Sequence, residues 1–182
     1  MKKTVVISLL LAACNLFPAT AYAADVTVTL PAGTDTTLYP GGDSGVVLED
    51  GTITFSLDKK MQKEWKKSIK EAFDDSVKEF MDDDVNYPSL VDLKCNEDMT
   101  EFTLAYNGEL TFQESMMYTL FPYWVAPLYQ QVCGVPEDKI DYKLICTDES
   151  TKEESVSNYR DALEMVESFN MTSTPNDSQL IE

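Results

Sequence analysis

The chain has 182 residues, with 32 acidic and 14 basic side chains, no histidine and a formal charge of −18. Without imidazole there is no Ser-His-Asp or Cys-His nucleophilic apparatus, no histidine-based zinc site and no histidine pH switch. So anionic a surface also argues against nucleic acid and anionic lipid as partners, since both are gripped by basic stripes. The hydrophobic content of 43% and the aromatic content of 10% are globular values, so the charge implies solubility rather than disorder.

Met1-Lys2-Lys3 is a short basic start, Val5 to Ala13 is apolar, and Ala21-Tyr22-Ala23 places small residues at −3 and −1. This is the three-part pattern of a secretory signal peptide over residues 1–23, with cleavage expected before Ala24. The apolar run is too short to remain as a membrane span. Leu11-Ala12-Ala13-Cys14 offers a second route. It has the form of a bacterial lipobox, in which Cys14 is lipidated and becomes the mature N-terminus. A lipid on Cys14 would be the chain's only tie to a membrane. The residues after it, Asn15-Leu16-Phe17-Pro18, are not a polar tether, and the Ala-x-Ala site stands just before a strand. Cleavage before Ala24 is therefore favoured and lipidation kept as the alternative. Either way the protein is expected outside the cytoplasm. Beyond Cys14 stand Cys95, Cys133 and Cys146, an odd number, so at least one thiol has no partner within the chain.

Asp25 to Leu30 alternates and is β-branched, which reads as a strand. Pro31 to Gly45 has the composition of a loop. Val46-Val47-Leu48 and Thr52 to Leu57 flank Asp50-Gly51, a hairpin signal because glycine supplies positive φ. Asp58 caps a predicted helix over 59–82, whose Met61, Trp65, Ile69, Phe73, Val77 and Phe80 make one apolar stripe. Val91, Leu93 and Cys95 alternate on the next strand, and Phe102, Leu104 and Tyr106 on the one after it.

Thr111-Phe112-Gln113-Glu114 has the form of a capping box and opens a second, almost entirely apolar helical region. Pro122 and Pro127 interrupt it, so a kink or two shorter helices are expected. Cys133-Gly134 is its expected stop. Ile140, Tyr142, Leu144 and Cys146 share one face of a further strand. Residues 153–159 read as an edge strand, 160–169 as a short helix, and 170–182 as a disordered polar tail.

The order from 52 to 147 is β-α-β-β-α-β. It predicts an α+β domain over residues 24–169: a ferredoxin-like sandwich of one antiparallel sheet with both helices on one face, plus an extra N-terminal strand and hairpin. In that arrangement Cys95 and Cys146 lie three strand spacings apart, about 14 Å, and all three thiols stay free.

Several stretches carry a resemblance. They are Val26-Thr27-Val28-Thr29-Leu30-Pro31, the strand Gly51-Thr52-Ile53-Thr54-Phe55, Asn86-Tyr87-Pro88, and Asn96-Glu97-Asp98-Met99-Thr100-Glu101-Phe102-Thr103. With the charged first helix and the Met- and aromatic-rich second one, the chain resembles a group of small secreted proteins and lipoproteins of Gram-positive gut-dwelling bacteria. The resemblance covers most of residues 25–160 and implies architecture and export. It implies no activity and no functional residues. Pro122 and Pro127 depart from the group's pattern of small residues in the second helix.

Carboxylates are the only catalytic groups in good supply. A carboxylate-dependent, glycosidase-like hydrolase needs two of them facing each other across a cleft. Asp74-Asp75 and Asp82-Asp83-Asp84 fall on solvated helix positions instead. Asp82, Asp84 and Asn86 mimic the start of an EF-hand loop, but Tyr87 and Leu93 stand where Gly and Glu are needed. No metal or cofactor site is expected. The second helix is apolar on more than one face, more than one sheet can bury. Phe121, Tyr123, Trp124 and Tyr129 are therefore the candidate surface for a protein, a small ligand or a second copy. The leading expectation is a non-catalytic binding module, with the hydrolase as alternative and a self-assembling surface protein as a third reading.

Overall fold

The computed structural model describes residues 25–172; the expected signal peptide, Cys14 and the part of the expected tail beyond 172 lie outside the described residues. The first strand, β1 (Val26–Leu30), turns Val28 and Leu30 into the core. It pairs antiparallel with β3 (Ile53–Leu57), setting Val28 against Phe55 and Leu30 against Ile53. The two-residue β2 (Val46–Val47) joins the other side of β3. The turn between β2 and β3 follows its Asp-Gly pair: Gly51 has φ +84°, and the Asp50 carboxylate accepts from the Thr52 N–H and hydroxyl at 3.0 and 2.7 Å.

Helix α1 (Lys59–Asp82) has the predicted limits, and Asp58 caps it by accepting from the Met61 N–H at 2.8 Å. The apolar stripe buries Trp65, Ile69 and Phe73, with Met61, Val77 and Phe80 half-buried at its margins. A second sheet follows, in the order β4 (Leu90–Cys95), β5 (Glu101–Tyr106), β6 (Lys143–Asp148) and β7 (Glu154–Asn158). One reading of facing residues changes here. A bulge between Leu90 and Asp92 leaves Val91 on the exposed side, so Leu90, not Val91, packs on the core beside Leu93.

The α+β class holds, with two sheets and three α-helices among the described residues. The single antiparallel ferredoxin-like sheet does not form. In that topology β3 would lie between β5 and β6. Here both edges of β3 are taken, by β1 and by β2, so β3 has no free hydrogen-bonding edge to insert. Strands β5 and β6 then meet directly, as a parallel pair. The described cysteines, Cys95, Cys133 and Cys146, are free, but for a changed reason. Cys95 and Cys146 are two strand positions apart rather than three, still about 9–10 Å before their stagger along the strands.

Helix α2 (Phe112–Val132) makes the crossover from β5 to β6. Its capping box forms in both directions: Thr111 Oγ1 accepts from the Glu114 N–H, and the Glu114 carboxylate accepts from the Thr111 N–H. The predicted break at the prolines does not occur, and α2 is one helix through Pro122 and Pro127. Each proline removes one donor, the one that would reach the carbonyl four residues back. Burial of Tyr118, Phe121, Ala126, Tyr129 and Val132 holds the turns on either side together. The helix stops at Gly134, at φ +82°, where the N–H groups of Gly134 and Val135 donate to Gln131 O and Gln130 O at 2.8 and 2.9 Å. Helix α3 (Tyr159–Thr172) closes the described chain and packs against α2. It begins near the predicted point and continues past 169 into the stretch read as tail. No described helix is long and apolar enough to cross a membrane.

Candidate functional site

The site begins with the loop before β2. Asp35 caps a short turn by accepting from the Thr37 N–H and hydroxyl at 3.0 and 2.6 Å. Two residues on, Tyr39 stacks on Trp65 of α1, with ring centroids 4.9 Å apart and planes 22° from parallel. The Trp65 indole N–H donates to Pro40 O at 2.7 Å. Close backbone approach completes the attachment. A Cβ on Gly42 would lie 1.7 Å from Thr36 O, and one on Gly45 2.6 Å from the Phe55 ring. The segment that composition marks only as a loop is thus fastened onto α1 and β3.

Fastened there, the loop holds Leu38 and Tyr39 opposite α2. Between them lies a groove of about 290 Å³, floored by Ile69, Phe73 and Phe121 and rimmed by Trp124 and Leu128. A second groove, about 440 Å³, runs on the other flank of Trp124. Tyr39, Tyr123, Pro127 and Tyr159 line it, together with the end of β1. Among the described residues, no charged side chain lines either groove, in a chain where a quarter of the residues are charged. Trp124 is 56% exposed and Leu38 73% exposed. Large apolar side chains exposed beside uncharged concave surface are the usual mark of a contact site.

Three of the four sequence-predicted residues meet here. Trp124 is the exposed ridge between the grooves. Phe121 is buried beneath it, stacked on Phe73 at 5.4 Å. Tyr123 stacks on Tyr159 at 5.6 Å. Tyr129 does not join them: it is buried, lines neither groove, and lies under the Lys70 ammonium, 5.3 Å from the ring centroid. Helical geometry explains the split, because a residue five positions from Trp124 points to a different side. Sequence reasoning missed Leu38, Tyr39, Leu128 and Tyr159. The visible signal was Leu38-Tyr39 itself, an apolar pair inside a polar loop. Burial raises the pKa of Tyr39, and burial together with Tyr123 raises that of Tyr159, so both stay neutral phenols.

The carboxylates have structural duties. Glu114 is fully buried and accepts from Thr111 N–H, Thr111 Oγ1 and Ser89 N–H at 2.9, 2.8 and 2.9 Å. Burial pushes its pKa up, but these hydrogen bonds together outweigh it and leave a stronger acid. Asp148 accepts from Ser150, Thr151 and the Gly108 N–H, which brings its pKa down to about 2. Asp83 closes the end of α1 by accepting from Asn86 and Val85. Asn86 is therefore turned onto Asp83, while Asp82 and Asp84 are exposed, and the EF-hand-like trio is not assembled. Among the described residues, no three or more Cys, Asp or Glu side chains are placed to hold a metal ion. No family model, curated protein or solved structure matches the chain.

Proposed function

We propose that this protein is an exported, non-catalytic binding module of the bacterial envelope or its surroundings, and that it takes its partner on the uncharged face around Trp124. One observation carries the reading: an indole more than half exposed stands as a ridge between two uncharged grooves on an otherwise acidic molecule. An apolar segment of another protein, a second copy or a small apolar ligand suits that face. Export rests on the leader, Met1 to Ala23, and a lipid anchor on the alternative at Cys14. The hydrolase reading is weaker. Among the described residues no carboxylate lines either groove beside Trp124, whereas such an enzyme needs two facing each other across its cleft.

The test is titration with the neutral apolar dye N-phenyl-1-naphthylamine, alongside light scattering, on wild type and Trp124→Asp. Saturable dye binding or self-association that the substitution abolishes, with the circular dichroism unchanged, supports the reading. A monomer whose dye binding is indifferent to the substitution sinks it. Intact mass of the exported form separates cleavage before Ala24 from lipidation at Cys14.

A further inference from the structure

We propose that the open edge of β1 is a second docking site, which takes an extended basic peptide as a fourth strand on the β1-β3-β2 sheet. Among the described residues, β1 has a single strand neighbour, β3. In an antiparallel ladder, successive residues point their peptide groups alternately toward the partner and away from it. The phase is known from two bonds. Leu48 N–H donates to Thr52 O at 2.8 Å, which turns Thr52 and Thr54 toward β2 and Ile53 and Phe55 toward β1. Thr29 N–H, across from Thr54, donates outward to the Gln131 side chain at 3.1 Å. Thr27 and Thr29 therefore present their peptide groups to the open edge. No described residue bonds the Thr27 N–H, and Gln131 is a side-chain stand-in at Thr29 that an incoming carbonyl can replace.

A groove of about 650 Å³ runs beside this edge, with Gly134 to Glu137 as its far wall. The helix-ending bonds of Gly134 and Val135 fix that wall, so the groove is preformed. Two of the other edges are less suited to strand addition: β2 has two residues, and a bulge breaks β4. Strand addition supplies affinity through main-chain hydrogen bonds and specificity through alternate side chains. Among the described residues, the only charged side chains lining the groove are Asp25 and Glu137. With a chain charge of −18, they oppose a second copy of the protein and favour lysine or arginine on the incoming segment.

The probe is a fluorescein-labelled, C-amidated peptide, Lys-Val-Thr-Val-Thr-Val-Lys, titrated by anisotropy against the full chain. Saturable binding is expected, kept in Thr27→Val and weakened about tenfold in Thr27→Pro, which removes the outward N–H but no bond to β3. The same peptide N-methylated at every residue cannot form the ladder and is expected not to bind, a result independent of how any variant folds. Asp25→Lys with Glu137→Lys reverses the preference toward a peptide ending in glutamates. Thr27 lines neither groove beside Trp124, so Thr27→Pro keeps the dye binding of that face, and failure here is distinct from failure of the Trp124 face. The proposal is overturned by absence of saturable binding, by equal binding of the N-methylated or glutamate-ended peptide, or by a dimer that Thr27→Pro dissolves, which would assign the edge to a second copy.

Discussion

Helices α1 and α2 lean on one core but divide their surfaces differently. α1 has 24 residues, buries one stripe and fills its remaining faces with lysine, glutamate and aspartate. α2 has 21 residues and a single charged side chain, Glu114, which is itself buried. Core burial alone accounts for the sequence of α1. α2 has α1, β1 and α3 around it and still leaves Trp124 in solvent. An all-round apolar helix signals neighbours on several sides, and what remains exposed after they are placed is the part worth probing for function.

The contrast is broken most severely at Trp65. It is fully buried, carries Tyr39 on its ring and holds Pro40 O. Trp65→Ala is expected to cost about 3–5 kcal/mol in denaturant unfolding, and to release the loop that walls the first groove. A loss below about 1 kcal/mol would mean that α1 does not depend on its stripe as described.

Glu114 is the corresponding anchor of α2. Glu114→Gln keeps the shape but gives up charge-assisted bonds to Thr111 and Ser89, for an expected loss of about 2 kcal/mol. The pH dependence has a definite sign. Glu114 and Asp148 are both stronger acids in the fold, so their stabilisation is present above the ordinary carboxyl range and is lost as pH falls through the folded values. For Asp148 that window runs from its ordinary 3.8 down to about 2. The thermal midpoint should drop over this range, and Asp148→Asn should flatten the drop. An unchanged acid limb would show that the Asp148 cap has no part in it.

Gly45→Ala tests the loop without touching either helix. Its Cβ would meet the Phe55 ring and the Ile53 methyl within 2.7 Å, and overpacking of this kind costs about 1–3 kcal/mol. The loss should be accompanied by weaker dye binding at the Trp124 face. The smallest effect belongs to Trp124. Trp124→Ala is expected to leave unfolding within about 0.5 kcal/mol of wild type while removing dye binding. A loss of 3 kcal/mol would place Trp124 among the core residues and erase the difference between the helices.

The candidate site was half legible. Trp124 and Tyr123 stood out because a helix apolar on more than one face exceeds what a single stripe can bury. Tyr129 belongs to the same stretch, but composition cannot tell which side of α2 meets the core. The loop's share of the grooves was hidden because Leu38 and Tyr39 act only once Trp65, 26 positions beyond Tyr39, holds them in place.

Local chemistry written into neighbouring residues was determined by the sequence alone. It set the limits of α1 by Asp58 and the apolar period, the Asp50-Gly51 turn, the Thr111–Glu114 box, the Gly134 stop, and the alternation on β3, β5 and β6. Each depends on groups a few positions apart, whose geometry the backbone imposes. Only the tertiary structure decided which strands pair, whether α2 survives its prolines, and which of its faces stays wet. Those outcomes depend on competition between distant partners. β3 has just two edges, and β1 and β2 occupy both, leaving none for β5 or β6. Packing on every side of α2 outweighs two missing hydrogen bonds. Both are sums over many contacts that no window of neighbouring residues contains.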